Sequence, residues 1–147
     1  MTRKFESDED RVRERETLTL LTKEKLLQFK LMDTFCAFDA KLYKDNKLLS
    51  IAEVKTYKSD FEQAKPHVIL SLKKMANLQD YCKKWSVPCC LIYRFDDCIG
   101  YYFLHEIKNA KCEYGGRNEI RNGSTYDREL LIKVPKKTLK FLEWQKN

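Results

Sequence analysis

The sequence predicts an α/β fold of the mixed, α+β kind: a central mixed sheet flanked by helices. Three observations point there. Helical and strand-like stretches follow one another as helix, hairpin strands, helix, strand, strand and a variable tail, an order that layers helices onto a sheet. A chain of 147 residues with 43% apolar content can bury one such core but not two, so residues 1–147 read as a single domain. No internal repeat, low-complexity tract or Pro/Gly/Ser linker interrupts it.

Residues 6–28 offer Ser7 or Asp8 as an N-cap, place acids in the first turn and contain no Gly or Pro, which predicts the first helix. Its apolar stripe of Val12, Leu18, Leu20, Leu21, Leu26 and Leu27 becomes convincing only after Arg15, leaving the front charged on every side. From Cys36 to Tyr43 the run CAFDAKLY has strand character. KDNK follows as a turn, and LLSIAEVKTYK supplies a partner strand with Leu49, Ile51 and Val54 suited to burial. Asp45-Asn46 joins the two as a hairpin.

Val68 to Trp85 carries Leu70, Leu72, Met75, Leu78 and Tyr81 or Cys82 near helical spacing, with Pro66 just ahead, and predicts the second helix. CCLIYRF reads as a continuously apolar strand, Asp96-Asp97 as a turn, and CIGYYFLHEI as the next strand. LLIKV at 130–134 adds a short strand. Pro135 then introduces a final amphipathic helix, KKTLKFLEWQ, which either caps the core or docks a second subunit. Glu113–Arg128, holding three of the four glycines, is the loop-rich segment.

Lys and Arg number 29 against 22 Asp and Glu, a net charge of +7. That balance favours a polyanionic partner, nucleic acid first, over a neutral metabolite, although a merely basic surface has the same arithmetic. The six cysteines form no Cys-x-x-Cys, so neither a zinc site nor a disulfide framework is predicted. Cys89 and Cys90 should point to opposite faces of one strand. MTRKFESDED lacks a signal-type apolar stretch, and no run of about 18 apolar residues could span a bilayer. The expectation is a soluble cytoplasmic protein.

The chemistry concentrates in the hairpin. Asp39 lies on its first strand, while Glu53 and Lys55, two residues apart on the second, share one face. Two charges on a strand otherwise rich in Ile, Ala and Val need a reason, and magnesium supplies one. Carboxylates can hold a hard cation that keeps several waters, and a lysine can help orient the attacking water and, as its neutral amine, deprotonate it.

The segment FDAKLYKDNKLLSIAEVKTYK, an aspartate followed fourteen residues later by Glu-Val-Lys, resembles the PD-(D/E)XK nuclease superfamily, particularly its small phage-encoded and Holliday-junction-resolvase-like members. The motif falls on Asp39, Glu53 and Lys55, with Phe38 where the family has Pro. The resemblance implies a restriction-endonuclease-like core, hydrolysis of phosphodiester bonds in DNA, branched or recombination intermediates as substrates, and a phage setting, hence the host cytoplasm. It also implies Mg2+, with Mn2+ as a substitute. ERETLTLLTK looks like the first helix of resolvase-like members, which implies Glu14, or alternatively Glu16, as a further metal ligand. ILSLKKMANLQDY resembles the family's Ser-x-x-Lys region and puts Ser71 and Lys74 near the substrate. YGGRNEIRNGSTYDRE resembles a Gly-Gly-Arg…Asp-x-Glu tail of phage-type members that places Gly115, Gly116, Arg117 and Asp127 on a loop beside the groove, with Arg121 a further DNA contact.

Other readings stand beside these. Asp39, Glu53 and Lys55 could form cross-strand charge pairs on an exposed hairpin, Glu14 an ion pair along its helix, and Lys73 with Lys74 a solvated helix face. His67 and His105 lack partners at metal spacing, and Tyr93, Tyr101 and Tyr102 suit core packing better than base stacking. A catalytically silent nucleic-acid-binding or assembly protein on the same fold is the alternative function, and a blocker of a host defence complex a third. Cleavage of a symmetric four-way junction would need a homodimer.

Overall fold

The computed structural model describes residues 8–33, 36–107, 110–116 and 128–142. The first helix, α1, spans Asp8–Lys25, with Asp8, Glu9 and Asp10 in its first turn and Lys23 and Lys25 in its last, both matched to the helix dipole. It stops short of residue 28 because Leu26 takes a left-handed conformation, φ 57°, and Leu27 N–H closes the end on Thr22 O at 2.8 Å. Its buried face is Glu14, Thr17, Leu18, Leu21 and Thr22, whereas Val12 and Leu26 are exposed. Thr17 and Thr22 can be buried because their hydroxyls donate to Arg13 O and Leu18 O at 2.7 and 2.8 Å.

The residues after α1 form a strand that the helical reading had absorbed, β1 (Gln28–Leu31), paired antiparallel with β2 (Ala40–Lys44). The predicted hairpin of β2 and β3 (Lys47–Thr56) is present. Asp45 and Asn46 both have positive φ, 51° and 65°, the conformation that matches a tight turn to the twist of its strands. Residues 36–39 are bends rather than strand, so Asp39 immediately precedes β2.

The second predicted helix divides. His67–Ser71 is strand β4, and α2 begins only at Leu72 and runs to Trp85. Val68 and Leu70 are buried as alternating residues of a strand, a spacing compatible with the start of a helical stripe as well. β5 (Cys89–Arg94) is buried at every position, lies parallel to β3 and is flanked by antiparallel β6 (Ile99–Phe103). A 3-10 turn at Leu104–Glu106 ends that stretch earlier than predicted. β7 (Lys111–Gly116) and β8 (Arg128–Pro135) follow.

The final helix is corrected over the described residues. Pro135 is followed by one 3-10 turn, Lys136–Thr138, and then strand β9 (Lys140–Phe141), which pairs with β6. The approach is close there: a Cβ on Gly100 would lie 2.9 Å from Leu139 Cδ1 and 3.1 Å from Leu139 Cβ. Trp144 lies outside the described residues. Gly115 and Gly116 belong to β7, opposite Glu129 and Arg128, rather than to a loop.

Two sheets result, a mixed six-stranded one ordered β1-β2-β3-β5-β6-β9 and an antiparallel one ordered β4-β8-β7, and the second was not anticipated. Alternation along β3 and β5 separates the apolar interior into two layers. Leu18 and Leu21 of α1 pack with Ala52, Cys90 and Ile92. On the other face Ile51, Cys89, Leu91 and Tyr93 pack with Leu78 of α2 and with Val68 and Val134 of the smaller sheet. Cys89 and Cys90 thus face opposite ways, as predicted, and all six cysteines are free thiols. Among the described residues no helix is long and apolar enough to cross a membrane.

Candidate active site

Asp39 lies one step beyond the last paired position of the β2–β3 hairpin, Ala40 opposite Ala52. Its backbone N–H still donates to Ala52 O at 3.0 Å. The next amide along β3, Val54 N–H, donates instead to the Asp39 side chain, reaching Oδ2 at 2.7 Å. A buried carboxylate, 4% exposed, therefore takes the place of a ladder carbonyl and satisfies an amide that would otherwise be orphaned. That amide belongs to the residue between Glu53 and Lys55, so the hairpin ties all three motif residues to one point.

Glu53 and Lys55 alternate with Ala52 and Val54, and both share the face of Ile51, which belongs to the α2 layer. Glu53 Oε2 lies 2.9 Å from Lys74 Nζ, with side chains only 12% and 26% exposed. The same ammonium donates to Ala37 O at 2.9 Å, in the bend that leads into Asp39. Lys74 thus spans the two chain segments that carry the carboxylates. Its location works against the helix dipole, because it sits in the first turn of α2, which holds no acid. The Glu53 carboxylate offsets that placement. Ser71 is the N-cap of α2, its Oγ accepting from Lys74 N at 3.0 Å. In Ser-x-x-Lys, the serine starts the helix whose first turn presents the lysine.

Lys55 has an exposed side chain but enough protein around it that burial lowers its pKa below the ordinary 10.5. Glu53 and Glu129 oppose that shift. Glu129, on β8, is the glutamate of the Asp-x-Glu that ends the quoted tail, to which the motif reading gave no role. It stands two residues past Asp127 in the quoted tail, on the strand that pairs with β4 in the second sheet.

Glu14 belongs to α1. It is 5% exposed on the face of α1 that carries Leu18 one turn later, and that face packs on the Ala52 and Ile92 side of the sheet. Its alternative, Glu16, pairs instead with Arg94 Nη2 at 3.0 Å. Among the described residues no three His, Cys, Asp or Glu side chains are grouped to hold a metal ion. Asp39 and Glu53 remain a hard oxygen donor pair, the set that suits a divalent cation keeping several of its waters. The ammonium of Lys74 beside Glu53 is consistent with a site built to receive positive charge. Arg117, Arg121 and Asp127 lie outside the described residues.

The histidines lie away from this group: His67 is in β4 opposite Pro135, and His105 stacks on Phe103 with ring centroids 5.8 Å apart. Tyr93 and Tyr102 are buried, stacked on each other at 5.7 Å and joined through their hydroxyls at 3.1 Å, the core role expected of them.

A family model described as "phage putative PDDEXK endonuclease" matches residues 1–142. No curated protein and no solved structure matches the chain.

Proposed function

The chain belongs to the phage PD-(D/E)XK endonuclease family, and on that premise we propose that it hydrolyses phosphodiester bonds in DNA with a divalent cation at Asp39 and Glu53. The observation that carries this reading is the bond from Val54 N–H to Asp39 Oδ2, 2.7 Å, which fastens one carboxylate to the strand bearing the other and Lys55. Magnesium, with manganese as its substitute, would neutralise charge building on the cleaved phosphate. Lys55 orients the attacking water and takes up its proton, a task helped by the lowering of its pKa. Were a cation held at Glu53, the Lys74 ammonium would be released to face the phosphate. Ser71 supports it from the helix cap. Gly115, Gly116, Arg117 and Arg121 are proposed to grip the backbone near the cleaved bond.

Glu14, with Glu16 as its alternative, is proposed as a further ligand of the cation from α1. Branched or recombination intermediates of phage DNA are the proposed substrates, in the host cytoplasm, and a four-way junction would call for a homodimer. A second reading has its own support. Glu53 already carries a cation, Lys74, at 2.9 Å, as it would in a catalytically silent nucleic-acid-binding or assembly protein.

Titration of Mg2+ and Mn2+ into the wild type and Asp39→Asn, followed by incubation with labelled duplex, single-stranded and four-way-junction DNA, separates the two. Metal binding and cleavage lost together in the variant support the nuclease. A wild type that binds DNA with a steep salt dependence but neither holds metal nor cuts supports the silent reading.

A further inference from the structure

Resting on the nuclease reading, we infer that Lys30 and Lys41 form a docking site for the phosphodiester backbone of the substrate, on the sheet face that carries Glu53 and Lys55. The two lysines are direct cross-strand partners in the β1–β2 pairing. Like charges directly opposite each other destabilise a strand pair, and no acid occupies any other position of that pairing, which is Gln28 with Tyr43, Phe29 with Leu42 and Leu31 with Ala40.

Register places the pair relative to the candidate active site. Lys41 is opposite Ile51, which packs in the α2 layer, so both lysines share the face of Glu53 and Lys55. Along β2, Lys41 is two residues from Asp39, about 6.8 Å, and β1 adds a further step of about 4.8 Å. Phe29 and Leu31 turn to the α1 layer, leaving Lys30 exposed. The Lys41 ammonium is steadied over the Trp85 ring, 4.8 Å from its centroid. A polyanion lying across β2 and β1 would relieve the repulsion between the lysines and continue past Asp39 toward the reacting group. A solubilising edge strand also favours lysine, but that role predicts no specific contribution to nucleic-acid binding.

The test is the salt dependence of duplex DNA binding, read by fluorescence anisotropy without divalent cation, for wild type, Lys30→Gln, Lys41→Gln and the double variant. Each single change should lower the slope of log K against log salt by about 0.9, and the double change by about 1.8. An Arg15→Gln/Lys23→Gln control removes equal charge from exposed positions of α1 and should leave the slope in place. A double variant with the wild-type slope, or a control that lowers it equally, overturns the docking site. If the wild type cuts DNA in that event, the nuclease reading survives alone; a wild type that neither binds DNA nor cuts it with Mg2+ present removes both. Matching thermal unfolding across the series excludes loss of fold as the cause.

Discussion

The two faces of the six-stranded sheet bury charge in different currencies. On the α1 face the buried and half-buried cations in ion pairs are arginines, the lysines there, Lys25 and Lys140, being exposed. Arg94, 6% exposed, pairs with Glu16, and Arg13 donates to Asp96 Oδ1 at 2.7 Å and Tyr57 O at 3.1 Å. On the α2 face the cations are lysines, Lys55 and Lys74, set against Asp39 and Glu53. A guanidinium stays charged and forks between partners, whereas an ammonium is a point charge that can give up its proton or change partner. The arginine side therefore reads as scaffold, joining α1 to the ends of β3 and β5, and the lysine side as machinery.

Exchanging the cations tests this contrast most severely. Lys55→Arg keeps the charge but cannot carry a proton, and cleavage should fall by about 10²–10⁴-fold with thermal unfolding near that of the wild type. Near-normal turnover would reduce Lys55 to an electrostatic role. Arg94→Lys, by contrast, should cost about 1–3 kcal/mol of stability in denaturant titration and spare cleavage at 25 °C. A cleavage defect without a stability loss would move the α1 face into the machinery.

Ser71→Ala removes the cap bond to Lys74 N and should cost about 1 kcal/mol, with only a small change in turnover. A large loss of DNA affinity at unchanged stability would instead assign the hydroxyl to the substrate. The subtlest effect is in pH. Burial lowers the Lys55 pKa below 10.5, so in the window beneath that value the unfolded chain holds a proton the folded chain has released. Wild-type stability should rise with pH there. The advantage of Lys55→Met over wild type, greatest at neutral pH, should therefore shrink as pH climbs toward 10.5; denaturant midpoints measured across that window decide it.

How much of this could be read beforehand depended on whether a local rule was enough. The hairpin was legible because Asp45 and Asn46 both tolerate positive φ, and with it came Asp39, Glu53 and Lys55. β5 was legible because burial on both faces leaves an unbroken apolar run. β4 was hidden, since Val68 and Leu70 fit the first turn of a helical stripe as well as a strand. β9 was hidden because KTLKFL has helix-like spacing, and its strand character comes from the distant pairing of Lys140 and Phe141 with Tyr101 and Gly100. The Ser-x-x-Lys resemblance pointed to Lys74, but its ion pair with Glu53 and its bond to Ala37 O emerge only from the packing of α2. Arg94 gave no signal at all, because only the docking of α1 pairs it with Glu16.

The bond between the Asp39 carboxylate and Val54 N–H also bears on how the molecule comes into being. It spans 15 residues and lies within one hairpin, an element that closes in about 1–10 μs, with a loop-closure entropy that stays small at so short a separation. The triad is thus written into a contact of low order, available before α2 or the second sheet has docked. A nascent chain would hold Asp39, Glu53 and Lys55 in register while Lys74 is still to arrive with α2, so assembly of the group and its charge compensation are separate events in folding.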